Sequence, residues 1–181
     1  MKKLAILFSF VILVVTLTGC VPGARNNNVG PSGDLVLPTK AGETSGTTEL
    51  DIPDISHKDF KDDIAGLCEY LEKSYAVYGD KVQMSYDVID AKDGYRYLFR
   101  YNKATVQVEV YEYDLENLSE SAKTILENAK NDGKITIVDK EVEAVLSDNG
   151  KYLMIYQDSN AEESNKEQKE RVIGLFKAFH A

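Results

Sequence analysis

Between Val82 and Val110 apolar side chains recur at every second position, and a period of two is the signature of strands packed on one face. Val82, Met84, Tyr86 and Val88 form the first run, and Asp93-Gly94 supplies turn chemistry ahead of Tyr95, Tyr97, Phe99 and Tyr101. A second turn at Asn102-Lys103 leads to Val106, Val108 and Val110. These three runs predict an antiparallel meander. In its middle strand one side carries the aromatic residues and the other carries Arg96, Leu98 and Arg100. The helices should cover the aromatic side, because burying two arginines would demand buried carboxylate partners.

Helical periods flank the meander. Ser56 is a candidate cap for a helix whose apolar positions Phe60, Ile64, Leu67, Cys68, Leu71 and Tyr75 share one face and which ends near Gly79. Asn117 and Glu120 have the spacing of a capping box for a second helix over 118–131, with Gly133 closing it. Three more strands follow, Ile135–Val138, Val142–Leu146 and Tyr152–Tyr156, the last two joined across Asp148-Asn149-Gly150. A final helix starts near Ala161, its first half soluble on all sides and supported by Glu162–Lys166 and Glu167–Arg171 pairs. The order α-β-β-β-α-β-β-β-α predicts an α+β domain over residues 54–181, an antiparallel sheet with helices mainly on one face.

The composition changes before this domain. All four prolines of the chain fall between Val21 and Pro53, with five glycines and no aromatic residue, so residues 20–53 read as a flexible tether. Such a segment spans about 30 Å as a coil and about 110 Å fully extended. Leu35-Val36-Leu37 is the one apolar run in it, and the alternative is that it docks on the domain as an added strand.

Residues 1–19 begin with Lys2-Lys3, continue through an apolar run from Leu4 to Leu17, and end in small residues before Cys20. That run is shorter than the ~20 residues a membrane span requires and lacks a basic stop-transfer cluster, which predicts a cleaved export signal. The residues Leu17-Thr18-Gly19-Cys20 resemble the lipobox of bacterial lipoproteins, and the plan of the chain resembles that of small lipoproteins of Gram-positive bacteria. The resemblance implies that Cys20 becomes the mature N-terminus and carries a thioether-linked diacylglycerol, with acyl chains of the palmitate kind. Two or more acyl chains hold a protein stably where one does not. The implied location is the extracytoplasmic face of the cell membrane, with the lipid as the contact to it.

Charge narrows the partners. The chain has 21 basic and 30 acidic side chains, net −9 with a pI near 4.8, the wrong sign for neutralising phosphates, so nucleic acid is not an expected partner. Loss of residues 1–19 removes Lys2 and Lys3 and no acid, so the anchored body is more acidic still and the lipid, not charge, must hold it at the bilayer.

Motifs for catalysis are not apparent. His57 and His180 lie in segments expected to fray, Cys68 sits at an apolar helix position, and neither a phosphate loop nor a zinc pattern occurs. Asp158-Ser159-Asn160-Ala161-Glu162 begins like a calcium loop, but Glu163 and Lys169 stand where Gly and a bidentate Glu are needed, which favours a helix cap. No catalytic residue, metal or cofactor is therefore assigned. The candidate recognition residues are Arg96 and Arg100, a cationic pair in an acidic domain, together with Tyr95, Tyr97 and Tyr101. The expected function is a non-enzymatic binding or protein-interaction module, its partner an envelope protein or a small anionic ligand. Alternatives are an inhibitor or immunity-type lipoprotein and an envelope-acting hydrolase.

Overall fold

A computed structural model describes residues 31–38 and 51–181; the expected export signal and Cys20 lie outside the described residues. The elements are α1 (Ile64–Lys73), β1 (Val82–Gln83), β2 (Asp93–Tyr101), β3 (Ala104–Glu112), α2 (Glu120–Asp132), β4 (Lys134–Ile137), β5 (Lys140–Glu143), β6 (Val145–Leu146), β7 (Tyr152–Asp158) and α3 (Glu163–Ala178). The fold is α+β. Five strands form an antiparallel sheet in the order β1-β2-β3-β7-β6, and β4 and β5 form a separate hairpin.

Register divides the sheet into two faces. Tyr97 and Phe99 of β2, Val106, Val108 and Val110 of β3, and Met154 and Tyr156 of β7 share one side with α1 and α3, where Leu67, Leu71, Val172 and Phe176 close the core. Two of the three helices thus cover the aromatic side. Tyr111, Leu153 and Ile155 point the other way, into a second core with Ala122, Leu126 and Ala129 of α2 and Ile135 of β4. A sheet buried on both faces explains why β7 reads as the continuous apolar run Tyr152–Tyr156 rather than as an alternation.

Local chemistry sets the element ends. Asn102 and Lys103 both have positive φ, 45° and 64°, the conformation of a two-residue hairpin turn, and they join β2 to β3 as expected. Gly133 caps α2 with φ 66°. The N-cap of α2 is Ser119, whose Oγ accepts from Ala122 N, so the Asn117–Glu120 box is corrected by two residues.

Four further expectations are corrected. Ser56 caps a short 3-10 turn, His57–Asp59, and α1 begins later, at Ile64, with Asp63 accepting from Gly66 N; it ends at Lys73, leaving Tyr75 outside with φ 51°. The run Val82–Val88 is a strand only at Val82–Gln83, because the chain turns through a 3-10 helix, Tyr86–Ile89, that packs Tyr86 and Ile89 into the second core. Asp93 and Gly94 are strand residues paired with Glu112 and Tyr111, not a turn. The first half of α3 is polar but not solvated on all sides: Asn165 and Gln168 are buried, Lys166 pairs with Glu163, and Arg171 donates to the carbonyls of Ser74 and Tyr75.

Of the two readings of the linker, docking is the one seen for residues 31–38. Ser32 N donates to Leu98 O, Arg100 N to Gly33 O and Leu35 N to Arg100 O, each at 2.7 Å, extending the β2 edge beyond β1. Leu35 is 5% exposed in the first core, so the ordered body includes this segment as well as the domain drawn from residue 54. His57 and His180 are also tied down, His180 N donating to His57 Nδ1 at 3.0 Å and His180 Nε2 lying 2.9 Å from Phe60 O.

Candidate ligand-binding groove on the second sheet face

The second face is only partly covered. Between the 3-10 helix at 86–89 and the β4–β5 hairpin lies a groove of about 330 Å³, at the lower end of the size range of small-molecule sites. Its floor is a cross-strand row, Val82, Arg96, Glu109 and Ile155, flanked by Gln107, Gln157 and Tyr111. One wall carries Ser85, Val88 and Ile89, and the other carries Ile137, Lys140 and Val142. Val88 is 53% exposed on the first wall, and Val138, 76% exposed, forms the tip of the hairpin behind the second.

Glu109 is the unusual residue. It is 7% exposed on a strand interior, where a carboxylate is rare unless paired. Its carboxylate accepts from Gln107 Nε2 at 3.1 Å and from Tyr111 Oη at 2.9 Å. Burial raises its pKa above the usual carboxyl range, opposed by the Tyr111 hydrogen bond and by the charge of Arg96. Tyr111 is itself held low over Gly94, and burial beside Glu109 drives its hydroxyl pKa upward.

Arg96 stands directly opposite Glu109 in the register, which places the two Cβ atoms ~5 Å apart. Yet the two side chains do not close into an ion pair within 4 Å, and among the described residues Arg96 has no side-chain hydrogen bond. Two opposite charges therefore share one groove floor with separate orientations. Lys140 adds a second cation at the rim.

The other candidate residues are placed elsewhere. Arg100 lies on the same face but at the sheet edge, 3.4 Å from Asp34 of the docked segment, so the expected cationic pair is divided. Tyr95, Tyr97 and Tyr101 face the first core. Tyr97 is fully buried and donates to Glu72 at 2.5 Å, Tyr95 lies half-buried under Lys81, and Tyr101 is half-buried beside α3. Cys68 is buried in the same core, and burial pushes its thiol pKa up to about 11. Asp158 and Asn160 spend their side chains on Asn160 N, Asn165 Nδ2 and Glu162 N, fixing the start of α3.

A larger depression, about 540 Å³, lies between α2 and the Ser147–Gly150 turn. Most of its polar groups are already engaged, since Asn149 binds the carbonyls of Phe179 and His180, and Asp148 faces Lys177 at 3.8 Å. It has no buried charge to direct a ligand.

Glu109 escaped the sequence reading because Gln107, Glu109 and Tyr111 alternate with the valines of β3 and look like a solvated face. The signal that could have found it is the five-residue apolar run of β7, which requires burial on both sides of the sheet. No protein-family model, curated protein or solved structure gives a match to this chain.

Proposed function

We propose that the chain is a lipoprotein anchored through Cys20 to the extracytoplasmic face of a cell membrane, and that its folded part is a non-enzymatic module binding a small ligand in the groove. The observation that carries the binding reading is a guanidinium, Arg96, without a protein partner among the described residues, beside a carboxylate buried to 7% exposure between apolar walls. Keeping Glu109 buried with no cation in ion-pair contact costs stability, and buried carboxyl groups with raised pKa values concentrate at functional sites. The anchoring reading rests on Leu17-Thr18-Gly19-Cys20 and the segment before it.

Each part has its own test. Radiolabelled palmitate should enter the wild-type chain and not Cys20→Ala, and the variant should leave the membrane fraction; equal labelling of both would remove the lipoprotein reading. For the groove, Arg96→Ala should leave the urea midpoint nearly unchanged but abolish thermal stabilisation by small amphiphiles that carry a carboxylate. A variant that melts early yet keeps the ligand-induced shift would make Arg96 a structural residue.

A further inference from the structure

Building on the proposal that the groove is a ligand site, and resting on it, we infer that the groove takes a free α-amino acid with an apolar side chain, its carboxylate on Arg96 and its ammonium on Glu109.

Charge complementarity selects a zwitterion. Arg96 and Glu109 are cross-strand neighbours on one groove floor, unpaired with each other. A purely anionic ligand would satisfy the arginine but meet the Glu109 carboxylate one strand away. A purely cationic ligand would meet Arg96 in the same way. An α-amino acid carries its two opposite charges on neighbouring groups, so it matches a donor fork and an acceptor set side by side, and neither protein charge is left facing its own sign. Glu109 is held ready for this role, because Tyr111 Oη and Gln107 Nε2 fix its two oxygens while further lone pairs remain for an ammonium.

The walls decide the side chain. Val88 and Ile89 on one side and Ile137 and Val142 on the other offer apolar surface on both flanks of the charge pair. The volume of about 330 Å³ suits a single residue rather than a folded peptide. Lys140 and Gln157 also line the groove, on the β5 and β7 side, and offer a further cation and an amide to a polar ligand group.

The test is isothermal titration calorimetry of the purified full chain with L-leucine, and with isocaproate, isoamylamine and glycine, which lack the ammonium, the carboxylate and the apolar side chain in turn. Leucine should bind, and each of the three analogues should be weaker by about tenfold or more. Arg96→Gln should weaken leucine and isocaproate and spare isoamylamine. Glu109→Gln, which retains an acceptor for Tyr111, should weaken leucine and isoamylamine and spare isocaproate. Isocaproate binding as tightly as leucine, with Glu109→Gln silent, would overturn the zwitterion proposal and leave the groove as an anion site. Isoamylamine binding as tightly as leucine, with Arg96→Gln silent, would overturn it in favour of a cation site. No heat from any of the four would overturn the proposal together with the reading of the groove on which it rests.

Discussion

Gly94 is a point at which the architecture of the groove can be perturbed by a single methyl. It sits in β2 opposite Tyr111, and an added Cβ would lie 2.5 Å from Cδ1 and 2.8 Å from Cε1 of the Tyr111 ring, and 3.3 Å from Cβ of Tyr86. Favourable carbon contacts begin near ~3.5 Å, so something must move. The ring has nowhere cheap to go: Tyr111 is 4% exposed and its hydroxyl is held by Glu109 at 2.9 Å. Overpacking of this kind costs about 1–3 kcal/mol. The restriction of the unfolded chain by alanine returns about 0.4–1 kcal/mol. Gly94→Ala should therefore destabilise the protein by about 1–2 kcal/mol in a urea melt, with an unchanged slope. In a Tyr111→Val background, where no ring covers the position, the same substitution should be neutral or stabilising. A neutral Gly94→Ala in the wild-type background would show that the ring is not pinned there, and with it that Glu109 is not oriented by Tyr111.

Removing residues 1–53 strips three backbone hydrogen bonds and Leu35 from the β2 edge; the unfolding free energy should fall by about 1–3 kcal/mol, since ordering the segment offsets part of the gain, and an unchanged midpoint would mean the docked segment contributes nothing. Glu112 is 3% exposed, accepts from Ile64 N at the start of α1 and pairs with Lys92 at 2.9 Å and Lys151 at 3.6 Å, so Glu112→Ala, which leaves the buried Ile64 N–H without its acceptor, should cost about 1–3 kcal/mol in a urea melt, whereas Lys92→Ala, whose ammonium is mostly in water and whose place beside the carboxylate is shared by Lys151, should cost under ~1 kcal/mol. The raised pKa of Glu109, caused by burial against the attraction of Tyr111 and Arg96, means that the folded state holds this proton more tightly than the unfolded chain. Its contribution is full below the usual glutamate pKa and declines as pH rises through the raised folded value, so Glu109→Gln should gain stability relative to wild type on passing upward through that window; parallel pH profiles for the two proteins would contradict a burial-raised pKa.

The fold was legible where one physical signal acted alone. β2 and β3 carry a clean alternation on the first-core side and an Asn102-Lys103 turn, and α2 ends at a glycine with positive φ, so sequence and structure agree there. Agreement failed where tertiary packing overrode period. Met84, Tyr86 and Val88 alternate as a strand would, but Tyr86 and Ile89 gain more by turning into the second core, and the chain leaves the sheet after Gln83. The docked segment was visible only as Leu35-Val36-Leu37, because three of its neighbours in sequence are proline or glycine and its partner strand is distant in the chain. Arg96 was legible as a residue of the face turned away from α1 and α3, from its charge and strand side. Glu109 was not, because a glutamate between valines has the same local pattern whether it faces water or a groove, and only the strands on either side decide which.

Methyl-resolved NMR of the purified full chain during titration with L-leucine puts the groove itself to the most direct test. The valine and isoleucine methyls of Val88, Ile137, Val142 and Ile155 line the groove, while Val106, Val108 and Val172 lie across the sheet in the first core. Saturable shifts in the first set with the second set unmoved is the predicted result. Shifts confined to the second set, or none in either, would contradict a ligand site on this face of the sheet.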